Sequence, residues 1–155
     1  MEIKVIILIN LLAYSLIVSQ SFSYIIALRN VQRNMQPQSY IELRKLLDKN
    51  FQIKFRIVFY FSLLSCSALT LLSSMHLTGL LFITSATALA GLIIETILTL
   101  KGNVPINREI NTWSADNYPL NWQDYRNRWL TIFAKRQVVN IIGFLSLLVG
   151  AVFGS

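Results

Sequence analysis

Cysteine and histidine are almost absent from this 155-residue chain, which contains one of each. The single cysteine, Cys66, can form no disulfide within the chain. The sequence also has no Cys or His pair at the spacing of a zinc or haem site, and no glycine-rich loop of the kind that binds phosphates. We therefore expect the protein to use no metal and no cofactor.

Long apolar runs dominate the chain, and 54% of its residues are hydrophobic. Crossing about 30 Å of hydrocarbon takes roughly 20 helical residues. Only helices or closed barrels satisfy their backbone hydrogen bonds in lipid, and these continuous runs lack the alternation of barrel strands. The sequence predicts an all-α integral membrane four-helix bundle that forms one domain over residues 1–155. Its helices are predicted at about 5–28, 57–75, 77–100 and 138–153.

The first run has a second interpretation, a cleaved signal peptide, because a short apolar run ends in the small polar region 19–23. The residues before the run include Glu2 and a single cation, Lys4, so a positively charged leader region is weak. We favour a retained membrane helix.

Basic residues are distributed unevenly in this chain of net charge +7. All of them except Lys4 lie between the first and second runs or between the third and fourth, and the turn at 73–78 has none. Lys and Arg that flank membrane helices stay on the cytoplasmic side. The sequence therefore predicts a multi-pass protein of the inner or plasma membrane with both termini outside and both large loops in the cytoplasm.

The excess positive charge also raises the possibility of nucleic-acid binding. The basic residues, however, flank membrane helices and do not cluster on a separable domain. We expect membrane lipids, with their anionic headgroups, to be the partners, and no nucleic acid.

The first loop contains a helical pattern after Pro37. Ser39 with Glu42 resembles a capping box that opens a helix. The pattern predicts a short amphipathic helix on the membrane surface or on the bundle. Its apolar positions recur at spacings of three and four: Tyr40, Leu43, Leu46, Leu47 and Phe51.

The second loop begins with a predicted helix break. Pro105 lacks an amide proton and biases Val104 away from helical angles, so the third helix is predicted to end near Gly102. The flanking Asn103 and Asn107 can then hydrogen-bond the exposed backbone at the break.

The end of the second loop predicts a helical extension before the fourth membrane helix. Asn121 is a suitable N-cap with Asp124 at the third helical position, and no Gly or Pro follows until Gly143. We expect one long helix from about Trp122. A stripe of aromatic, cationic and amide side chains runs along it at spacings of three and four: Trp122, Arg126, Trp129, Phe133, Arg136 and Asn140. The stripe is either an interfacial aromatic belt with arginine anchors or part of a ligand site.

Glu95 is the one acidic residue within a predicted membrane span. A lone carboxylate there is costly, so we expect it to pair with a cation at the same depth. Arg136 is the favoured partner, with Arg29 and Arg56 as alternatives. The pair could hold two helices together, or Glu95 could accept a proton from a bound substrate.

The first helix has a polar face that we expect to point into the bundle, where it forms interhelical hydrogen bonds or lines a cavity. This face comprises Asn10, Tyr14, Ser21 and Tyr24, with Gln20 adjacent. Small residues spaced by four predict close helix packing within the bundle or across a homo-oligomer. They are Ala86 with Ala90, Thr87 with Gly91, and Ser146, Gly150 and Gly154.

In these features the chain resembles the anthrone oxygenase-like family of small four-helix membrane proteins, most of whose members have no assigned function. The resemblance rests on the segment Asn103-Val104-Pro105-Ile106-Asn107, the Trp-containing linker after it, and the spacing from Trp129 to Arg136. Those members to which an activity has been assigned look like cofactor-free oxygenases, which convert an anthrone to an anthraquinone by letting a deprotonated substrate react with oxygen. The resemblance implies site positions at Asn103, Asn107, Trp129 and Arg136. Many relatives have His or Asn four residues after the Trp, where this chain has Phe133, so a base must come from elsewhere, with Glu95 the nearest acidic candidate.

Two functions follow as hypotheses. One is an oxygenase or related redox enzyme acting on a small hydrophobic phenolic compound, and the other is a non-catalytic protein that binds a lipid or lipophilic metabolite or supports a membrane complex. A transporter is a weaker third, because the chain has no internal inverted repeat. The candidate catalytic residues are Glu95 and Arg136, and the candidate ligand-binding residues are Asn103, Asn107, Trp129, Arg126 and Asn140.

Overall fold

The structure is a computed structural model that describes residues 2–76 and 79–154. The described residues are almost entirely helical and contain no strand. Six α-helices follow in order: α1 Glu2–Ser23, α2 Arg29–Asn34, α3 Pro37–Ser73, α4 Leu80–Leu98, α5 Val104–Thr112 and α6 Trp122–Phe153. Two π-helical turns, Tyr24–Leu28 and Thr99–Asn103, join α1 to α2 and α4 to α5.

Four continuous helical stretches in the described part of the chain are long and apolar enough to cross a membrane. They are Ile3–Asn34, Ile53–Ser73, Leu80–Thr112 and Trp122–Phe153. Each helix packs on two neighbours, α1 and α4 both lying against α3 and α6. The predicted all-α bundle is confirmed, and the chain is a multi-pass membrane protein. Its outer faces are apolar, with exposed side chains that include Leu8, Leu12, Leu64, Leu71, Ile83 and Ile142.

The first membrane helix extends beyond its predicted end at residue 28. A π turn continues it, with the Arg29 amide donating to the Tyr24 carbonyl, and the helix ends only at Asn34. No Gly or Pro interrupts residues 2–34, so nothing in the local sequence ends the helix where its side chains become polar. The backbone turns extended at Met35 and Gln36, directly before Pro37.

The amphipathic segment of the first loop is not a separate helix, because α3 runs without a break from Pro37 into the second membrane span. No Gly or Pro occurs between residues 38 and 73 to stop it. The capping-box prediction is also wrong, because Gln36 is the N-cap, Pro37 occupies the first turn and no side chain caps the helix. The buried face consists of Tyr40, Ile41 and Arg44, whereas Leu46 is exposed and the side chain of Phe51 lies outside the described set.

The predicted break near Gly102 does not occur, because the helix continues through a π turn into α5. The Val104 amide donates to the Thr99 carbonyl, five residues back, and Pro105 falls in the first turn of α5. The wider π turn accommodates the proline, whose ring would clash with the carbonyl four residues back in a regular α-helix. At the other end, the predicted first residues of this helix, 77 and 78, lie outside the described residues, and α4 begins at Leu80.

The prediction of one long helix from Trp122 is confirmed by α6, which continues to Phe153. The Asn121 side chain makes no capping bond, although its carbonyl accepts the Asp124 amide at 3.0 Å. Helix α6 lies close to both α4 and α1 because its glycines face side chains of those helices, Gly150 meeting Thr84 of α4 and Gly143 meeting Tyr14 of α1. An added Cβ at Gly143 would lie 2.1 Å from the Tyr14 hydroxyl. Of the predicted small residues, Gly91 and Gly150 are buried, whereas Thr87 and Ala90 face outward.

Candidate functional site

Glu95 on α4 and Arg136 on α6 form the predicted ion pair inside the bundle. Glu95 is 1% exposed, and its Oε1 accepts hydrogen bonds from Arg136 Nη2 at 2.6 Å and from Nε at 3.0 Å. The remaining Arg136 nitrogen, Nη1, donates to Asn103 Oδ1 at 2.9 Å. Asn140 Nδ2 approaches the second carboxylate oxygen, Oε2, at 3.4 Å. A carboxylate that is costly in lipid is thus matched by a cation and one amide, and a second amide accepts from the cation.

The π turn before α5 directs Asn103 toward α6. Its Nδ2 donates to the Trp129 carbonyl at 3.1 Å, so Asn103 joins two helices. The prediction that Asn103 and Asn107 satisfy backbone at a helix break is therefore wrong. Because the helix is continuous, it exposes no free backbone there, and both side chains bond to groups on other helices.

Asn107 on α5 connects three helices. Its Oδ1 accepts from Trp129 Nε1 on α6 at 2.8 Å and from Arg44 Nη2 on α3 at 2.9 Å. Its Nδ2 donates to Asp48 Oδ1 at 2.9 Å, and Asn111 donates to the other oxygen of the same carboxylate at 2.9 Å. Both the oxygen and the nitrogen of the Asn107 side-chain amide make hydrogen bonds. The residue therefore positions the Arg44 guanidinium, the Trp129 indole and the Asp48 carboxylate.

Two stacked aromatic rings lie between two arginines in a single column through the site. The Arg44 guanidinium lies 3.7 Å from the Trp129 ring centroid, and Trp129 stacks on Phe133 with centroids 4.6 Å apart. Arg136 follows, 4.9 Å from the Phe133 centroid. Cations over aromatic faces are attracted by the ring quadrupole, more strongly where water is excluded. The helical stripe of α6 thereby supplies the inner surface of a site.

Sequence reasoning missed Arg44, which it grouped with the surface cations of the first loop. The residue is 6% exposed, and burial lowers the pKa of its guanidinium to about 10, so it remains charged at neutral pH. Its spacing of four from Tyr40 and from Asp48 was the available signal, because those three positions share one face of a helix.

A cavity of about 670 Å³ opens beside this column, at the end of the bundle that contains the basic segments. Its walls come from α1 with its π turn, from α2 and α3, from α4 through α5, and from α6. Leu28, Tyr60 and Leu100 form part of its rim and are 44%, 61% and 60% exposed. Five of the predicted site residues line it: Glu95, Asn103, Asn107, Trp129 and Arg136.

Two predicted ligand-binding residues do not line the cavity. Arg126 donates to the Met35 carbonyl at 3.1 Å and lies 4.5 Å from the Trp122 ring centroid. Asn140 lies behind Glu95, away from the lining. Both belong to the same helical stripe, but the cavity extends along only its middle part.

The polar face of α1 points inward as predicted. It both forms interhelical hydrogen bonds and lines the cavity. Ser21 donates to Gln137 Oε1 at 2.6 Å, and the Tyr24 hydroxyl donates to the Leu130 carbonyl at 3.3 Å. Tyr24 and Gln20 also line the cavity. The face therefore holds α1 against α6 and closes one side of the site.

The cavity combines an ion pair, a second arginine and aromatic walls. The side chains converge on a void and also satisfy one another, so the same residues support the bundle and form a binding surface. Comparison of the chain with protein families, with curated proteins and with solved structures finds no match.

Proposed function

We propose that the protein binds a small, largely apolar molecule in the cavity between its four membrane helices. The observation that supports this is the cavity itself, on which Glu95, Asn103, Asn107, Trp129 and Arg136 converge. Its volume of about 670 Å³ falls within the range of roughly 300 to 1,000 Å³ typical of small-molecule sites.

The walls suit a molecule with an apolar body and one polar end. Phe55, Phe59 and Leu47 contribute apolar surface to the cavity, and asparagines and arginines contribute polar groups. A lining that is mostly apolar with a few convergent polar groups is common in ligand sites.

The rim of the cavity suits access from the lipid. Leu28, Tyr60 and Leu100 are exposed, and all three belong to helices long and apolar enough to cross a membrane. A lipophilic molecule dissolved among acyl chains could therefore reach the cavity without crossing water.

Two matched threonines on α4 allow this proposal to be tested. Thr96 lines the cavity and donates to the Leu92 carbonyl, whereas Thr87 is exposed on the outer face and donates to the Ile83 carbonyl. Calorimetry would measure binding of methyl 2-naphthoate to the protein in phosphatidylcholine nanodiscs, with empty nanodiscs as background. We expect Thr96→Phe to abolish binding and Thr87→Phe to leave it unchanged. Saturable binding that both variants retain equally would place the probe elsewhere.

A second candidate function is oxygenation of a phenolic substrate, the chemistry implied by the resemblance to anthrone oxygenases. It is favoured by the position of Glu95 in the cavity wall, where the one hydrogen bond of Oε2 among the described residues is the 3.4 Å contact with Asn140. Glu95 would accept the proton of an anthrone, and the resulting anion would react with O2. One oxygen atom enters the new carbonyl, and the other leaves as water with the two hydrogens of the former methylene group. Arg136 would position the carboxylate through its two hydrogen bonds.

Oxygen uptake by the purified protein in the presence of an anthrone tests the enzymatic hypothesis. We expect Glu95→Gln to remove the uptake and the double variant Asn103→Ala, Asn107→Ala to reduce it. Uptake by the wild-type protein no faster than by these variants would reject catalysis while leaving ligand binding intact.

We also propose an orientation in which both termini are outside and the basic segments are cytoplasmic. It is supported by the absence of Lys and Arg from the turn at 73–78 and by their abundance in the two large connections.

A further inference from the structure

We infer that the ligand of this cavity has an anionic oxygen head group, and that Arg44 binds it. The inference depends on the proposed function, since it names the chemistry of the molecule that the cavity holds. The contacts within the described structure leave the charge of Arg44 without a carboxylate partner.

Arg44 is a buried cation with no carboxylate in contact. Among the described residues the structure contains one ion pair, that of Arg136 with Glu95. Asp48, one turn from Arg44, accepts hydrogen bonds from the amides of Asn107 and Asn111 instead. A guanidinium taken out of water without a counter-charge in contact is destabilising by several kcal/mol, and a bound anion would offset that.

The Trp129 ring covers one face of the Arg44 guanidinium, and part of the guanidinium edge makes no hydrogen bond within the described structure. Its plane lies over the Trp129 ring, 3.7 Å from the centroid, and Nη2 donates to Asn107 Oδ1 at 2.9 Å. Within the described structure neither Nε nor Nη1 has a hydrogen-bond partner; Nε is fully buried, whereas Nη1 retains accessible surface where the residue lines the cavity. Guanidinium edges bind carboxylate and phosphate oxygens in plane, so the stacked indole orients the free edge for such a contact.

Charge in the cavity lining also favours an anion. Four arginines contribute to it, whereas the carboxylates there are those of Asp48 and Glu95. Both carboxylates are engaged by Asn or Arg side chains, while Arg56 and Arg108 lie exposed at the rim. Cations around an opening raise the local concentration of anions and their rate of association.

A lipophilic carboxylate and the phosphate of an anionic lipid present the same chemistry to Arg44. The apolar walls hold the body of either molecule, and the guanidinium edge recognises the charged oxygens. The first anion is a free molecule, whereas the second is part of a bilayer lipid. Changing the lipid composition distinguishes them.

The test compares 2-naphthoate with methyl 2-naphthoate in phosphatidylcholine nanodiscs. The two probes share an apolar body, and only the first is charged. We expect the wild-type protein to bind the acid about tenfold more tightly than the ester, the size of a hydrogen-bonded charge interaction. Arg44→Gln should remove this preference, so that the acid and the ester bind the variant with equal affinity. Lys49→Gln, on the exposed side of the same helix, should retain it.

Each outcome bears on one of the two proposals. Failure of both probes to bind the wild-type protein would reject the proposed function, and the inference with it. Equal affinities for acid and ester in the wild type, or a preference that survives Arg44→Gln, would reject the inference alone. If Arg44→Gln does not fold, tryptophan fluorescence decides: quenching by 2-naphthoate should be largely lost in Trp129→Phe, and quenching that persists would place the acid elsewhere.

Nanodiscs containing phosphatidylglycerol identify the source of the anion. At high salt, which screens surface charge, a lower affinity for 2-naphthoate in these discs supports the inference with a lipid headgroup as the occupant. An unchanged affinity supports it with a free lipophilic carboxylate.

Discussion

Arg136 and Glu95, 41 positions apart in the chain, are joined by two hydrogen bonds of 2.6 and 3.0 Å within the membrane bundle. The pair connects α4 to α6 at the wall of the cavity. Both side chains are less than one tenth exposed, so each depends on the other for its charge to be tolerated.

Replacing Arg136 with Ala should destabilise the protein by about 3 to 5 kcal/mol, because Glu95 would be left as a buried charge without a counter-charge. Adding Glu95→Gln should recover part of the loss, since the amide is neutral. Thermal unfolding in detergent would measure both, with Lys135→Ala, an exposed neighbour, as the control. Losses that simply add in the double variant would contradict the pairing.

The Tyr14 hydroxyl lies between two glycines, and this predicts unequal effects of Gly→Ala changes. A Cβ at Gly143 would meet the hydroxyl at 2.1 Å, whereas a Cβ at Gly91 would meet it at 3.3 Å. Gly143→Ala should destabilise the bundle by about 1 to 3 kcal/mol through overpacking. Gly91→Ala should be close to neutral, because alanine favours the helix by about 1 kcal/mol.

Combining Gly143→Ala with Tyr14→Phe should reduce the loss, since the atom that the new methyl meets first is removed. Unfolding of the four proteins of this cycle would be measured under one set of detergent conditions. A double variant as unstable as the sum of the single variants would show that the clash lies elsewhere.

The buried phenol of Tyr40 predicts a pH effect at alkaline pH. Burial raises the pKa of Tyr40 from 10.0 to about 12, with Arg44 and Arg126 offsetting part of the rise. The neutral phenol is therefore favoured in the folded state, and this contribution is present in full below pH 10 and is lost as pH rises toward 12.

Tyr40→Phe lacks the ionisable group, so the stability of the wild type relative to this variant should fall between pH 10 and 12. At neutral pH the variant should be equal or slightly more stable, because the Tyr40 hydroxyl is buried without a hydrogen-bond partner in the described structure. Chemical unfolding at several pH values measures the difference, and a constant difference across the range would contradict the prediction.

The proposed orientation predicts which loops react with a membrane-impermeant maleimide in whole cells. In a Cys66→Ala background, Met75→Cys should be labelled because Met75 lies in the turn between the second and third spans and is 85% exposed. Ser114→Cys, in the connection between α5 and α6, should be labelled only after the cells are opened. The reverse pattern would invert the orientation.

The sequence predicted those features that depend on residues close together in the chain. Hydropathy identified four membrane helices, and the spacing along residues 122–140 predicted a long helix with one functional stripe. The Glu95–Arg136 pair was also predicted, because a lone carboxylate in lipid needs a cation at its own depth. Helix ends were predicted less well. A π turn accommodated Pro105, so α4 continued into α5, and no Gly or Pro separated the amphipathic segment of α3 from the second membrane span.

By itself, the sequence determined that lipid is the solvent of this chain, because four apolar helices leave too little polar surface for water. Beyond the Glu95–Arg136 pair, only the tertiary structure decided which polar side chains meet. Arg44 lies among surface cations in the sequence, and it became part of the buried wall of a cavity because Asn107 and Trp129, more than 60 residues away, pack against it. Such contacts depend on how helices are arranged around one another, and no local pattern of residues encodes that arrangement.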